Sequence, residues 1–106
     1  MPKYLVQANY VGDGVKGLLK EGGSSRQAAV EKLVGSLGGS VESMYYAFGQ
    51  TDVYIIVDMP DNASMAAAAL LASASGAVTA KTTVLMTAEE VDEAAKKTPV
   101  YRPPGQ

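Results

Sequence analysis

The sequence predicts an α+β domain of ferredoxin-like βαββαβ order. It would have an antiparallel four-stranded sheet, a split first helix and an extra C-terminal helix. Three observations predict it. Near the start, Tyr4, Val6, Ala8 and Tyr10 alternate with Lys3, Leu5, Gln7 and Asn9, the period of two that marks a strand with one apolar and one mixed face. Further on, Val30, Leu33, Val34 and Leu37 trace the i, i+3, i+4, i+7 stripe of an amphipathic helix. At the centre, the run from Ala47 through Phe48-Gly49-Gln50-Thr51-Asp52 to Val57 reads as a strand, a tight turn at residues 49–52 and a returning strand.

Each element can be justified in order. The first strand covers residues 3–11 and is broken by Gly12-Asp13-Gly14. Val15, Leu18 and Leu19 then recur at helical spacing, giving a short helix that Gly22-Gly23 ends. Ser24 with Gln27 has capping-box spacing for the second helical piece, which Gly38-Gly39 closes. Strands follow at residues 40–48 and 52–59, rich in aromatic and β-branched residues, with Gly49 expected to supply a positive backbone dihedral and Asp52 to bond its own backbone. Pro60-Asp61-Asn62 opens the next helix, with Asp61 or Asn62 as cap, and small Ala side chains across residues 63–75 would let it approach the sheet closely. Leu70 and Leu71 argue that this helix packs rather than standing in solvent. Gly76 ends it, and residues 77–86 read as the fourth strand. Thr87 with Glu90 makes another capping box, opening a charged helix to about residue 97. The remainder, residues 98–106, contains Pro99, Pro103 and Pro104 and reads as an extended arm beyond a single domain of residues 1–97.

Composition bounds the function. With 106 residues, 47% hydrophobic and 19% charged, the chain is an ordinary globular domain with one modest core. Much of the apolar content is Ala, so Val, Leu, Ile and Tyr are expected to build that core. A net charge of −2 with nine dispersed basic residues disfavours nucleic-acid binding, since Arg26 and Lys32 accompany Glu31, and Lys96 and Lys97 close a helix that opens with Glu89 and Glu90. The absence of both His and Cys excludes Ser-His-Asp and Cys-His nucleophiles, His- or Cys-ligated zinc, proximal-His haem and disulfides. A carboxylate-only site for Mg²⁺ or Ca²⁺ would need clustered acids, but Asp58 and Asp61 lie at a strand end and Glu89, Glu90, Asp92 and Glu93 complement a helix dipole. No metal site and no cofactor are expected. The first residues enter a strand pattern without a signal peptide's apolar stretch, and the longest apolar run, at residues 65–72, is mostly Ala and short of a membrane span. The expectation is a cytoplasmic protein with no membrane partner.

Several segments together resemble the GYD domain family. They are Lys3-Tyr4-Leu5-Val6-Gln7-Ala8, the Gly14-Val15-Lys16-Gly17-Leu18-Leu19-Lys20-Glu21-Gly22-Gly23-Ser24 segment, Gly38-Gly39, Phe48-Gly49-Gln50-Thr51-Asp52, and Thr82-Thr83-Val84-Leu85 with the Thr-Ala-Glu-Glu start that follows. The resemblance covers residues 3–97. The family takes its name from a Gly, Tyr, Asp signature at the hairpin; Gly49 and Asp52 match it, and Thr51 stands at the Tyr position. The resemblance implies a branch of the dimeric α/β-barrel proteins, small bacterial domains whose two sheets close around a shared interior. The wider superfamily includes haem-handling enzymes, monooxygenases of polyketide-like aromatics and ligand-binding regulatory domains, which for this chain is analogy at the level of the fold.

Helices on one sheet face would leave the other bare, carrying Leu5, Tyr45 or Tyr46, and several Val, and a second copy is the natural cover. The candidate ligand-binding residues are Gln7, Asn9, Tyr45, Asp52 and Lys81, which would place amide, phenol, carboxylate and ammonium groups in an otherwise apolar interior suited to a small apolar or aromatic ligand. Asp52 can equally cap the hairpin, the others can equally bond one another at a subunit interface, and a one-residue slip would present Tyr46, Tyr54 and Thr83 instead. Gly12-Asp13-Gly14 and Gly22-Gly23-Ser24 fit no phosphate-loop motif, and the second reads as a hinge between helix pieces. No catalytic residue is identifiable. The resulting reading is a homodimeric or larger ligand-binding or interaction module. Its alternative is a cofactor-independent monooxygenase- or isomerase-like enzyme acting on an aromatic or quinone-like substrate, with Asp52 or Tyr45 moving a proton. Haem held through Tyr or Lys is a third.

Overall fold

A computed structural model describes residues 1–106. The strands are β1 (Lys3–Tyr10), β2 (Ser40–Tyr46), β3 (Val53–Asp58) and β4 (Val78–Leu85). The helices are α1 (Asp13–Glu21), α2 (Gly23–Ser36), α3 (Asn62–Ala74) and α4 (Ala88–Ala95). The sheet order is β2-β3-β1-β4 with every pairing antiparallel, which is the ferredoxin-like arrangement. Helix α2 packs on β2 and α3 on β4, both on the same side.

That side holds the core. Tyr4 and Ala8 of β1 and Val53, Ile55 and Val57 of β3 are buried against Val34 of α2 and Met65 and Ala68 of α3, with Met59 wholly enclosed. Val30, Leu33 and Leu37 pack around Val34, as the helical stripe predicts. Asp61 caps α3 by accepting from the Ser64 N–H at 2.8 Å, and Thr87 and Glu90 complete both bonds of the predicted capping box at 3.1 Å. Only ten of the 106 residues are buried, so the core is thin for a chain of this length.

Several expectations are corrected. The connection between β2 and β3 spans residues 47–52, longer than the expected turn at 49–52; Gly49 is not left-handed, and the Asp52 carboxylate bonds β1 rather than its own backbone. The Ser24–Gln27 capping box does not form. Gly22, at φ 84°, occupies the N-cap of α2 and its backbone N–H closes α1 on the Leu18 carbonyl at 2.8 Å, so the chain pivots on glycine and leaves no side-chain cap. Gly14 lies where α1 meets the turn before β4, and a Cβ there would strike the Ala77 carbonyl. Leu70 and Leu71 do not pack: they are exposed, and α3 buries its small side instead, through Met65 and Ala68. Methionine also contributes more to the core than leucine, which supplies none of its fully buried side chains. Residues 98–106 carry no helix or strand.

Candidate functional site: the open sheet face and the opposite chamber

Because Tyr4, Val6, Ala8 and Tyr10 face the helices, Lys3, Leu5, Gln7 and Asn9 face away from them, and the register extends that face to every strand. Gln7 stands opposite Lys81 of β4 and Tyr54 of β3, and Tyr54 stands opposite Tyr45 of β2. Lys81, Gln7, Tyr54 and Tyr45 therefore form one row across all four strands. Beside it runs a more apolar row of Thr83, Leu5, Ile56 and Ser43. At one end, the Lys3 ammonium donates to Asp58 at 2.9 Å and to Glu42 at 3.0 Å, joining β1 to the next two strands.

Of the five predicted site residues, Gln7, Asn9, Tyr45 and Lys81 thus share the open face. Asp52 lies beside Asn9 at the sheet's end and is used structurally. Its N–H donates to the Asn9 side-chain oxygen at 2.8 Å, and its carboxylate accepts from the Tyr10 N–H at 3.0 Å. Two other expectations about this face change. The valines lie on the helix side, so Leu5, Ile56 and Leu85 supply the aliphatic surface. Tyr54 and Thr83 belong with Gln7 and Lys81, and only Tyr46 points the other way, because it pairs with buried Val53. Tyr54 was readable only as an alternative: alternation orders each strand alone and does not say how neighbouring strands are phased.

The helix side carries a feature no single strand announces. A cavity of about 90 Å³ lies between the sheet and helices α2 and α3, lined by hydrophobic side chains and by Arg26. It adjoins an outer groove of about 410 Å³ between α1, α2 and α3, and Tyr10, Arg26, Leu33, Ala72 and Val78 line both. Tyr46 is nearby, donating its hydroxyl to the Gly23 carbonyl at 2.9 Å; desolvation, then the Tyr10 hydroxyl, pushes its pKa up to about 12. No three acidic side chains come together in a way that could hold a metal ion, and no helix is long and apolar enough to cross a membrane.

Two charged groups outside the cavity make the fold's pH response predictable. Hydrogen bonds that Lys3 donates to Asp58 and then to Glu42 raise its pKa above its ordinary 10.5. A group raised on folding stabilises fully below its unfolded value and loses that contribution as pH rises through the folded one. The melting temperature of the native protein should therefore decline more steeply above about pH 10.5 than that of Lys3→Met, as thermal melts in a pH series would record. Parallel declines would show that the bridges add nothing. Asp61 runs the opposite way: its capping bonds to Ser64 lower its pKa from 3.8, and that contribution fades as pH falls through the folded value.

Fold and surface together define a small ferredoxin-like α+β domain with helices on one side of its sheet and an uncovered opposite face. The chain belongs to the GYD domain family, whose model matches residues 4–95. Neither a comparison with curated proteins nor one with solved structures gave a significant match.

Proposed function

We propose that this GYD domain works as a homo-oligomeric ligand-binding or interaction module in which copies of the chain cover one another's open sheet faces. The observation that carries this reading is the row Lys81-Gln7-Tyr54-Tyr45 lying beside Leu5 and Ile56 on a face that no element of the chain covers. Strand spacing and rise make that face roughly 500 Å². A standard interface buries about 800 Å² per partner, so the sheet alone falls short.

Helix α4 and the arm can supply the difference. None of the residues of α4 is buried, and it makes no substantial packing contact with another element. An eight-residue helix is marginal in water without tertiary support, whatever its caps. The radius of gyration is 16.9 Å, against about 13 Å for a compact chain of this size. Val91, Val100 and Tyr101 are exposed along the projecting segment, giving it apolar side chains to dock on a neighbouring copy. Within such an assembly Gln7, Asn9, Tyr45 and Lys81 would meet across the interface or line a shared interior open to a small apolar ligand.

The enzymatic alternative gains no support from the geometry. Asp52 has its carboxylate bonded to the Tyr10 N–H, and Tyr45 stands exposed rather than in an enclosed pocket. Light scattering coupled to size exclusion tests the proposal. A mass of two or more chains at micromolar concentration is the expected result, and a monomer there would reject it.

A further inference from the structure

We propose that the chamber between the sheet and helices α2 and α3 binds a short-chain aliphatic monocarboxylate, its chain inside the chamber and its carboxylate on Arg26. The inference builds on the ligand-binding part of the reading above, but it places a site on the opposite side of the sheet and needs only one copy of the chain.

Three observations carry it. The first is chemical contrast. Val6, Ala8 and Val78 of the sheet and Val30, Ala68 and Ala72 of the helices line apolar space, and Arg26 is the one charged residue among its lining. Arg26 is half-buried as a residue and forms no salt bridge, the only two in the chain being those of Lys3. An unpaired guanidinium at the edge of an apolar cavity suits a carboxylate, which it can hold through two parallel N–H donors.

The second is size. A cavity of about 150 Å³ admits benzene, so a chamber of about 90 Å³ takes a slimmer body, scaling to about four aliphatic carbons. At this site the size favours a slim aliphatic chain over an aromatic ring.

The third is the charge beyond the throat. Asp13 and Glu21 line the outer groove together with Arg26. A ligand with a second carboxylate extending outward would meet like charge there, whereas a single carboxylate stops at Arg26. The site therefore distinguishes mono- from dicarboxylates.

Chemical-shift titration of the ¹⁵N- and methyl-labelled protein with pentanoate, 1-pentanol and glutarate tests this. Pentanoate should shift the signals of Val30, Ala72 and Val78 saturably and bind at least tenfold more tightly than pentanol. Glutarate should bind at least tenfold more weakly than pentanoate. Arg26→Gln should erase the advantage of pentanoate while leaving pentanol binding intact, which also shows that the variant is folded. Ala72→Leu, by filling the junction of chamber and groove, should abolish both. Equal binding of pentanoate and pentanol to the native protein would overturn the role of Arg26, and no saturable shift from any probe would overturn the site. Oligomer mass is measured separately, so a monomer that binds pentanoate refutes the assembly alone, and an oligomer that ignores it refutes the chamber alone.

Discussion

Replacing Met59 by Ala is expected to cost about 3 kcal/mol of folding stability, a large loss for a core this thin. Met59 directly follows β3 and is the most enclosed residue in the protein, with 0% of its surface exposed. Its N–H donates to the Pro2 carbonyl at 3.0 Å, which fixes the backbone and prevents the site from collapsing onto a shortened side chain. The substitution therefore removes the thioether's apolar area and leaves a void, and both terms act in the same direction. A domain of this size commonly holds 5–15 kcal/mol in total, and ten buried residues put this one towards the low end. At roughly 4–8 °C per kcal/mol, the melting temperature should fall by about 12–24 °C. Urea titration at one fixed protein concentration measures the change, because self-association would otherwise add a concentration-dependent contribution. Met59→Leu, which keeps the volume, should cost under about 1.5 kcal/mol. A loss below about 1 kcal/mol for the alanine variant would mean that the core relaxes around the site.

What was legible beforehand follows from what a local pattern can encode. The stripe of Val30, Leu33, Val34 and Leu37, the cap at Asp61 and the reciprocal bonds of Thr87 and Glu90 lie within a few residues of one another, and all of them form. The two faces of β1 are also correctly divided, since Tyr4 and Ala8 are buried together. Expectations that depended on distant partners fared differently. Whether Tyr45, Tyr46 or Tyr54 shares a face with Gln7 depends on strand register, including the irregularity between Val41 and Ser43 that resets the alternation of β2. Leu70 and Leu71 looked like the packing residues of α3 because they are its largest aliphatics. The helix instead turns its alanines to the sheet, and that choice leaves the chamber, since small side chains at Ala68, Ala69 and Ala72 do not fill the space under them. A cavity is a shortfall of volume between elements and has no signature within any one of them. Arg26 shows the same limit: among Gln27, Glu31 and Lys32 it reads as one more charge on a solvated helix, and only the fold places it in the throat of an apolar space.

On the opposite face, Ile56→Asp should convert the assembled protein to monomer. Ile56 lies in the middle of the open face, opposite Leu5 on one side and Ser43 on the other. In a single chain it is only partly buried, so the variant should fold with a cost of about 1 kcal/mol from the poorer strand propensity of Asp. In a face-to-face pair the same change places a carboxylate from each copy in an apolar contact without a partner, and stripping such charges of water costs several kcal/mol apiece. At 1.4 kcal/mol per tenfold, this weakens association by at least a hundredfold, enough to move a micromolar assembly to monomer. Leu19→Asp supplies the comparison: Leu19 is 82% exposed on α1, away from the sheet face, and the variant should keep its native mass. The two light-scattering profiles together separate an interface from a general effect of added charge. If Ile56→Asp keeps the native mass, the copies meet elsewhere. The projecting α4 and arm would then be the segment to truncate, because Val91, Val100 and Tyr101 on them are apolar and uncovered.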